Sequence, residues 1–197
     1  MFDAISTNDY NILIETFVSQ QYLWLAQRLK PNTLVIDIGA HCGDSAIYLA
    51  QQPNVKRVLA YDNYPPVYER AKHMLAKAKP DVQSKIAYQL AEITNTKACK
   101  EQKGFSVWIP KLPLKEILAH HKGKPIIIKC DCEGAEHTIF DDEYEDLLKN
   151  VYRIQIEYHG GVRDLEKNIT RYGFKTIATM QLKDKKLGEV GWVYAER

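Results

Sequence analysis

The chain has 197 residues, 45% of them hydrophobic and 26% charged, with a formal net charge of +2. Against ~150 residues per domain this points to a single domain with its own core, and the composition excludes a disordered or collagen-like chain. The mild charge does not make nucleic acid the default partner, no apolar run approaches the ~20 residues of a membrane-spanning helix, and the first ten residues lack the basic start and apolar stretch of a secretion signal.

Apolar residues at Ile12, Leu13, Phe17, Tyr22, Leu23, Leu25 and Ala26 predict one or two amphipathic helices in an N-terminal extension over 1–30. A strand–helix rhythm follows over 31–197. Residues 34–38 are a short β-branched run, read as a buried strand. Asp44 or Ser45 can cap a helix running to Gln52, before Pro53. Residues 57–61 form the second strand, and Pro66 opens a helix that reaches Lys79. Residues 85–90 are the third strand. A helix over 113–121 precedes the fourth strand at 126–130, the most apolar of all. Residues 135–149 read as helix, 152–157 as the fifth strand, 162–172 as helix, and 174–180 and 190–194 as the last two strands.

Alternating strands and helices predict right-handed βαβ units and a mainly parallel sheet with helices on both faces. The final connection is different. Only nine residues separate Met180 from Val190, and a parallel crossover needs a dozen or more. The last strand is therefore expected to run antiparallel.

The four cysteines, Cys42, Cys99, Cys130 and Cys132, are expected as reduced thiols of a cytoplasmic protein. Charge is uneven: eight lysines stand between residues 97 and 129, whereas eight acids and no Lys or Arg stand between 131 and 148. Two solvated faces, or opposed fields that orient a charged ligand, both fit this pattern.

The turn Asp37-Ile-Gly-Ala-His-Cys-Gly43 follows the first strand. Ligands of open α/β sheets bind beyond the carboxyl ends of the strands at such a switch point. A dinucleotide fingerprint wants a middle glycine where His41 stands, so close phosphate approach is disfavoured. Asp37 would repel phosphate and suit a cationic amino group. Asp62, closing the second strand, can accept both hydroxyls of a ribose. Asp-x-Gly-x-x-x-Gly with a ribose acid fits S-adenosyl-methionine better than NAD or ATP, with a merely tight glycine turn in a flavodoxin-like sheet as the alternative.

These residues resemble class I S-adenosyl-methionine-dependent methyltransferases. Ile128-Lys-Cys-Asp-Cys-Glu-Gly-Ala-Glu136 resembles the Lys-x-Asp-x-Glu-Gly-x-Glu signature of the FkbM type, and Ile156-Glu-Tyr-His159 resembles that family's Glu-x-His. The resemblance runs from about Leu34 to Phe174. It departs at His41, where the family usually has Asn, and at Asp62, where it usually has Glu. It implies a Rossmann-like seven-stranded methyltransferase sheet, with S-adenosyl-methionine as cofactor and S-adenosyl-homocysteine as product. It places Asp37, Gly39, Ala40, His41 and Gly43 at the amino-acid end of the cofactor, Asp62 and Asn63 at the ribose, and Glu92 at the adenine amino group.

A hydroxyl acceptor must lose its proton. Lys129, Asp131 and Glu133 alternate onto one strand face; Asp131 is the candidate nearest cofactor and acceptor, and Lys129 can hold it ionised. A structural salt-bridge row is the alternative. Glu157 and His159 share a face, and His159 is the candidate base. Cys130 and Cys132 face away from the row; with Cys-x-Cys spacing and no second pair they read as small thiols, not a zinc site, and no metal is required. The reading is transfer of a methyl group to a hydroxyl of a small molecule or sugar. An RNA or protein acceptor docked on the basic 97–129 stretch, or a non-catalytic cofactor-binding module, are the alternatives.

Overall fold

The computed structural model describes residues 16, 18, 21–100, 109–141, 144, 147–162, 164–184 and 188–197. Most of the expected N-terminal helix region lies outside these; within them one short helix stands there, α1 (Leu23–Ala26).

The chain then builds β1 (Thr33–Ile38), α2 (Asp44–Ala50), β2 (Val55–Asp62), α3 (Pro65–Lys77), α4 (Pro80–Gln83), β3 (Ile86–Leu90), β4 (Glu92–Thr94), α5 (Thr96–Lys100), β5 (Lys111–Pro113) and α6 (Leu114–His120). It continues through β6 (Ile126–Asp131), α7 (Glu136–Ile139), β7 (Val151–His159), α8 (Leu165–Thr170), β8 (Lys175–Asp184) and β9 (Gly188–Glu196). Seven strands form one sheet in the order β3-β2-β1-β6-β7-β9-β8. β1, β2, β3, β6 and β7 pair in parallel, and β9 runs antiparallel between β7 and β8. The short last connection thus forces a hairpin, as its length requires. Its tip, 185–187, lies outside the described residues.

Pattern follows position. β1 and β6 sit in the middle with both faces covered, so their residues are buried almost throughout. Alternate side chains feed two cores. Ile36, Ile128, Ile154 and Ile156 pack on one face with Leu114, Leu118, Phe140 and Leu165. Val35 and Ile127 pack on the other with Leu25, Leu29, Leu49 and Val82. The described N-terminal residues therefore share the core of the sheet.

Several elements differ from the sequence reading, which had no helix at α4 or α5. The helix expected over 135–149 is a single turn, α7, followed by a 3-10 turn at Leu147–Asn150. The hydroxyl of buried Tyr144 takes the Ile139 carbonyl, which a continuing helix would give to a backbone N–H. The first helix has no Asp44 or Ser45 side-chain cap; Gly43, at φ 85°, precedes it, and both side chains are buried against other partners. A two-stranded parallel sheet, β4 with β5, adds to the main one; three-residue strands are too short to leave a periodic signal. Among the described residues no helix is long and apolar enough to cross a membrane.

Candidate functional site

The chain runs outward from β1 to β3 in one direction and from β6 through β7 to the β8 edge in the other, with β9 returning between β7 and β8. A crevice opens where the order reverses, beyond the carboxyl ends of β1 and β6. It holds a cavity of about 720 Å³, within the usual few-hundred to ~1,000 Å³ of small-molecule sites.

One end is built by the first two strands. Gly39 turns at φ 73° directly against the Asp131 backbone, and its N–H and that of Ala40 both donate to the Tyr61 carbonyl at 2.9 Å. His41 follows at φ 44°, donating its N–H to Asp62 Oδ2 at 3.0 Å and accepting a hydrogen bond from the Tyr88 hydroxyl on its carbonyl. The other Asp62 oxygen accepts the Tyr64 N–H at 2.9 Å. Each oxygen keeps lone pairs for a ligand. His41 Nδ1 is buried with no hydrogen-bond partner. Glu92 lines the same end, paired with Lys111 at 3.2 Å, beside Asn63, Ala91 and Ile93.

The other end is a polar stripe across β6 and β7. Register sets Asp37 beside Lys129, Lys129 beside Gln155, and Asp131 beside Glu157. Lys129 is 3% exposed. Its ammonium donates to the Gly39 carbonyl at 2.5 Å and lies 3.4 Å from Asp37 Oδ1 and 3.8 Å from Asp131 Oδ2. Burial would lower its pKa, but the field of Tyr22, Asp37, Asp131 and Asp44 overrides this and holds it well above the ordinary value. Burial raises the Asp37 carboxyl, against the pull of Lys129 and the 2.6 Å bond from Ser45.

Several expected ligand residues do not reach the cavity. Asp37 lies beneath its floor, fully buried, with its charge met by Lys129. Ala40 is buried, and Gly43 faces Leu75 and Ala71 of α3, 3.7 to 3.8 Å from an added Cβ. Gly39, His41, Asp62, Asn63, Glu92, Lys129, Asp131 and Glu133 do line it. His159 does not. Its N–H donates to Glu136 Oε1 at 2.7 Å, its Nδ1 lies 3.3 Å from the same oxygen, and its Nε2 lies 3.5 Å from Glu133. The hydrogen bond to Glu136, with Glu133 and Asp131 nearby, raises it to about 9 despite burial. An imidazolium has no lone pair with which to take a proton or bind a metal. Held in this way, His159 is favoured as a cation paired with Glu136 and Glu133, and Asp131, Glu133 and His159 each bring a ligand atom within 4.8 Å of one another.

Three residues to which the sequence reading gave no role in the site also line the cavity. Gln21 and Tyr22, from the N-terminal segment, line the β6–β7 end; nothing local marks them, because their role comes from packing onto a sheet formed far along the chain. Glu157 lines the cavity too. Burial and Asp131 raise its carboxyl to about 7, against His159, Lys129 and a bond from Trp192.

These two shifts have the same sign. From ordinary values of 4.5 and 6.5, Glu157 and His159 rise to about 7 and about 9, so the folded chain holds protons that the unfolded chain releases. Stability should fall as pH rises from about 5 to 9. Urea melts should show Glu157→Gln flattening the lower part of that slope and His159→Gln the upper. A slope unchanged by both would mean that neither group is shifted.

Comparison with known proteins gives a consistent answer. The model of the methyltransferase FkbM domain matches residues 37–176. No curated protein matches the chain. A protein in the NADB-Rossmann superfamily from Streptococcus agalactiae aligns with TM-score 0.56 at 16% identity, over 90% of this chain and 68% of that one. M. capricolum TrmK in complex with S-adenosyl-homocysteine aligns with TM-score 0.54 at 13% identity, over 89% and 67%. A precorrin-6y C5,15-methyltransferase from Geobacter metallireducens aligns with TM-score 0.52 at 15% identity, over 99% and 93%. At these identities the neighbours speak for the fold.

Proposed function

Since the chain belongs to the FkbM family of methyltransferases and depends on S-adenosyl-methionine, we propose that its acceptor is a hydroxyl oxygen of a small molecule or sugar. The observation that carries this reading is the acidic wall of the cavity. Asp131, Glu133 and Glu157 line it; of the described cations that line the same cavity, Lys129 is buried and already paired, and Arg70 stands apart on α3. Carboxylates accept hydrogen bonds from hydroxyls and repel the phosphates of a nucleic acid backbone.

The residues present fit the cofactor. His41 Nδ1 lacks a partner, Asp62 has lone pairs to spare, and the absence of a side chain on Gly39 lets the turn close against the Asp131 carbonyl, which brings these groups to the same end of the cavity. Asp62 and Asn63 would hold the ribose, Glu92 the adenine amino group, and Gly39 and His41 the amino-acid end. Asp37, beneath the floor, would act there through Lys129, which fixes the Gly39 carbonyl. Bound in this way, S-adenosyl-methionine supplies a methyl group already activated on a sulfonium. The protein's work is then to orient the acceptor and remove its proton. Asp131 and Glu133 would hold the acceptor hydroxyls, with His159 as the cation behind them. We place the reaction in the cytoplasm; no disulfide joins the described cysteines Cys42, Cys130 and Cys132.

The test pairs binding with turnover. Asp62→Ala should weaken S-adenosyl-homocysteine binding by about 1.5–3 kcal/mol in calorimetry, the scale of a hydrogen bond to a charged group. With radiolabelled S-adenosyl-methionine, the wild type should methylate members of a panel of monosaccharides and polyols. Label appearing only in RNA or protein, or binding without transfer to any acceptor, would overturn the acceptor class.

A further inference from the structure

Glu157 stands out among the cavity residues for how it is held. It projects from β7 beside Asp131 and lines the same cavity as Gly39 and Asp131. Two donors grip one of its oxygens: the Trp192 indole N–H reaches Oε2 at 2.9 Å from β9, and the Gln21 amide reaches it at 3.2 Å from the N-terminal segment. Gln21 is itself fixed, its backbone carbonyl accepting the Gln155 amide at 3.2 Å. Among the described residues no donor takes Oε1. A carboxylate clamped on one oxygen and open on the other, in a site that receives an acceptor, has the geometry of a proton acceptor. No neighbour on the stripe is placed like this. Lys129 is a buried ammonium, Asp131 is turned to that ammonium, Glu133 is exposed, and His159 is bound to Glu136 outside the cavity wall.

Resting on the hydroxyl-acceptor reading, we propose that Glu157 is the general base of the methyl transfer, its Oε1 taking the acceptor proton while Trp192 and Gln21 hold Oε2. The acceptor O–H breaks with its proton going to Oε1. The acceptor oxygen forms the bond to the methyl carbon, and the C–S bond breaks with its electron pair left on sulfur, giving a neutral thioether. The carboxyl then returns its proton to water. The charged and titratable groups that face Glu157 are Asp131 and Lys129 on β6, His159 on β7, Tyr194 on β9 and, across Lys129, Tyr22. Burial and Asp131 bring its carboxyl to about 7, in the range that suits a general base near neutral pH.

The experiment compares wild type, Glu157→Gln and Glu157→Asp by three readouts. These are turnover against pH on a panel of hydroxyl, amine and thiol acceptors, calorimetric affinity for S-adenosyl-homocysteine, and tryptophan fluorescence against pH without any acceptor. Turnover of the wild type on a hydroxyl should rise through pH ~7. In Glu157→Gln it should fall by roughly 10²-fold or more and lose that limb, while Glu157→Asp recovers part of both. Affinity should stay within about three-fold, which also shows that the variant is folded. A fluorescence transition near 7, reporting the indole bonded to Glu157, should vanish in Glu157→Gln. A Glu157→Gln rate within a few-fold of wild type, or an affinity loss equal to the rate loss, would overturn the base assignment alone. A wild type that methylates amines or thiols and no hydroxyl would overturn the acceptor class, and the base with it.

Discussion

Replacing Gly39 by alanine should abolish cofactor binding and lower stability by about 2–5 kcal/mol, the sum of an overpacked contact and a left-handed backbone carrying a side chain. The reason is local and severe. A Cβ on Gly39 would be driven into the Asp131 carbonyl, 2.7 Å from its carbon, a separation real Cβ atoms essentially never show. Neither partner can give way easily, because Gly39 directly follows β1, Asp131 ends β6, and the two strands are hydrogen-bonded neighbours. The only relief is to part the strand ends, which displaces His41, Asp131 and the buried Lys129 contact to the Gly39 carbonyl together. Gly43→Ala is the control. It too has a left-handed backbone, at φ 85°, but its Cβ meets only Leu75 and Ala71 at ordinary contact distance. It should cost about 1 kcal/mol, the backbone part alone, and leave S-adenosyl-homocysteine affinity far less changed. Urea denaturation and calorimetry on both variants decide the matter. Equal effects at the two positions would mean that the close approach at Gly39 is not what shapes the site.

The second large effect belongs to Lys129. Lys129→Met keeps the length and apolar stem but leaves Asp37, fully buried, without its cation. Breaking a buried pair by removing one partner costs about 3–5 kcal/mol, because an uncompensated carboxylate is then held away from water. Asp37 is already raised by burial; without Lys129 it rises further. The folded state then binds a proton more readily than the unfolded one, so the deficit of the variant should shrink as pH falls below neutral. Asp37→Asn combined with Lys129→Met removes both charges and should recover most of the loss. Urea melts at several pH values would show it. A single variant as stable as the wild type, or a double variant no better than the single, would mean that the pair does not hold the turn.

Much of this molecule is written locally. The alternation of β-branched strands with helices opened or stopped by glycine and proline predicts the parallel sheet, since each run carries its own period and its own stop. The nine residues between Met180 and Val190 require the antiparallel hairpin because no crossover is that short. Asp62 could be picked out because a strand end after a glycine turn is a position, and position in an open α/β sheet determines which groups can face a ligand. Other features depended on pairings that no window of sequence contains. Asp37 looked like a ligand for a cation. The register of β1 against β6 set it beside Lys129 and beneath the cavity instead. His159 looked like the base of its strand until Glu136, 23 residues earlier, took its ring and its N–H. Gln21 reaches Glu157 across 136 residues of chain, so its part in the site exists only once the sheet has formed and the N-terminal segment has covered it. The helix expected over 135–149 gave way for a local reason: periodicity favoured its continuation, but the hydroxyl of buried Tyr144 takes the Ile139 carbonyl within the same stretch of chain. Local preferences of a few tenths of a kcal/mol per residue set the elements. Burial and paired charges of several kcal/mol then decided which side chains face the cavity and which lie beneath it.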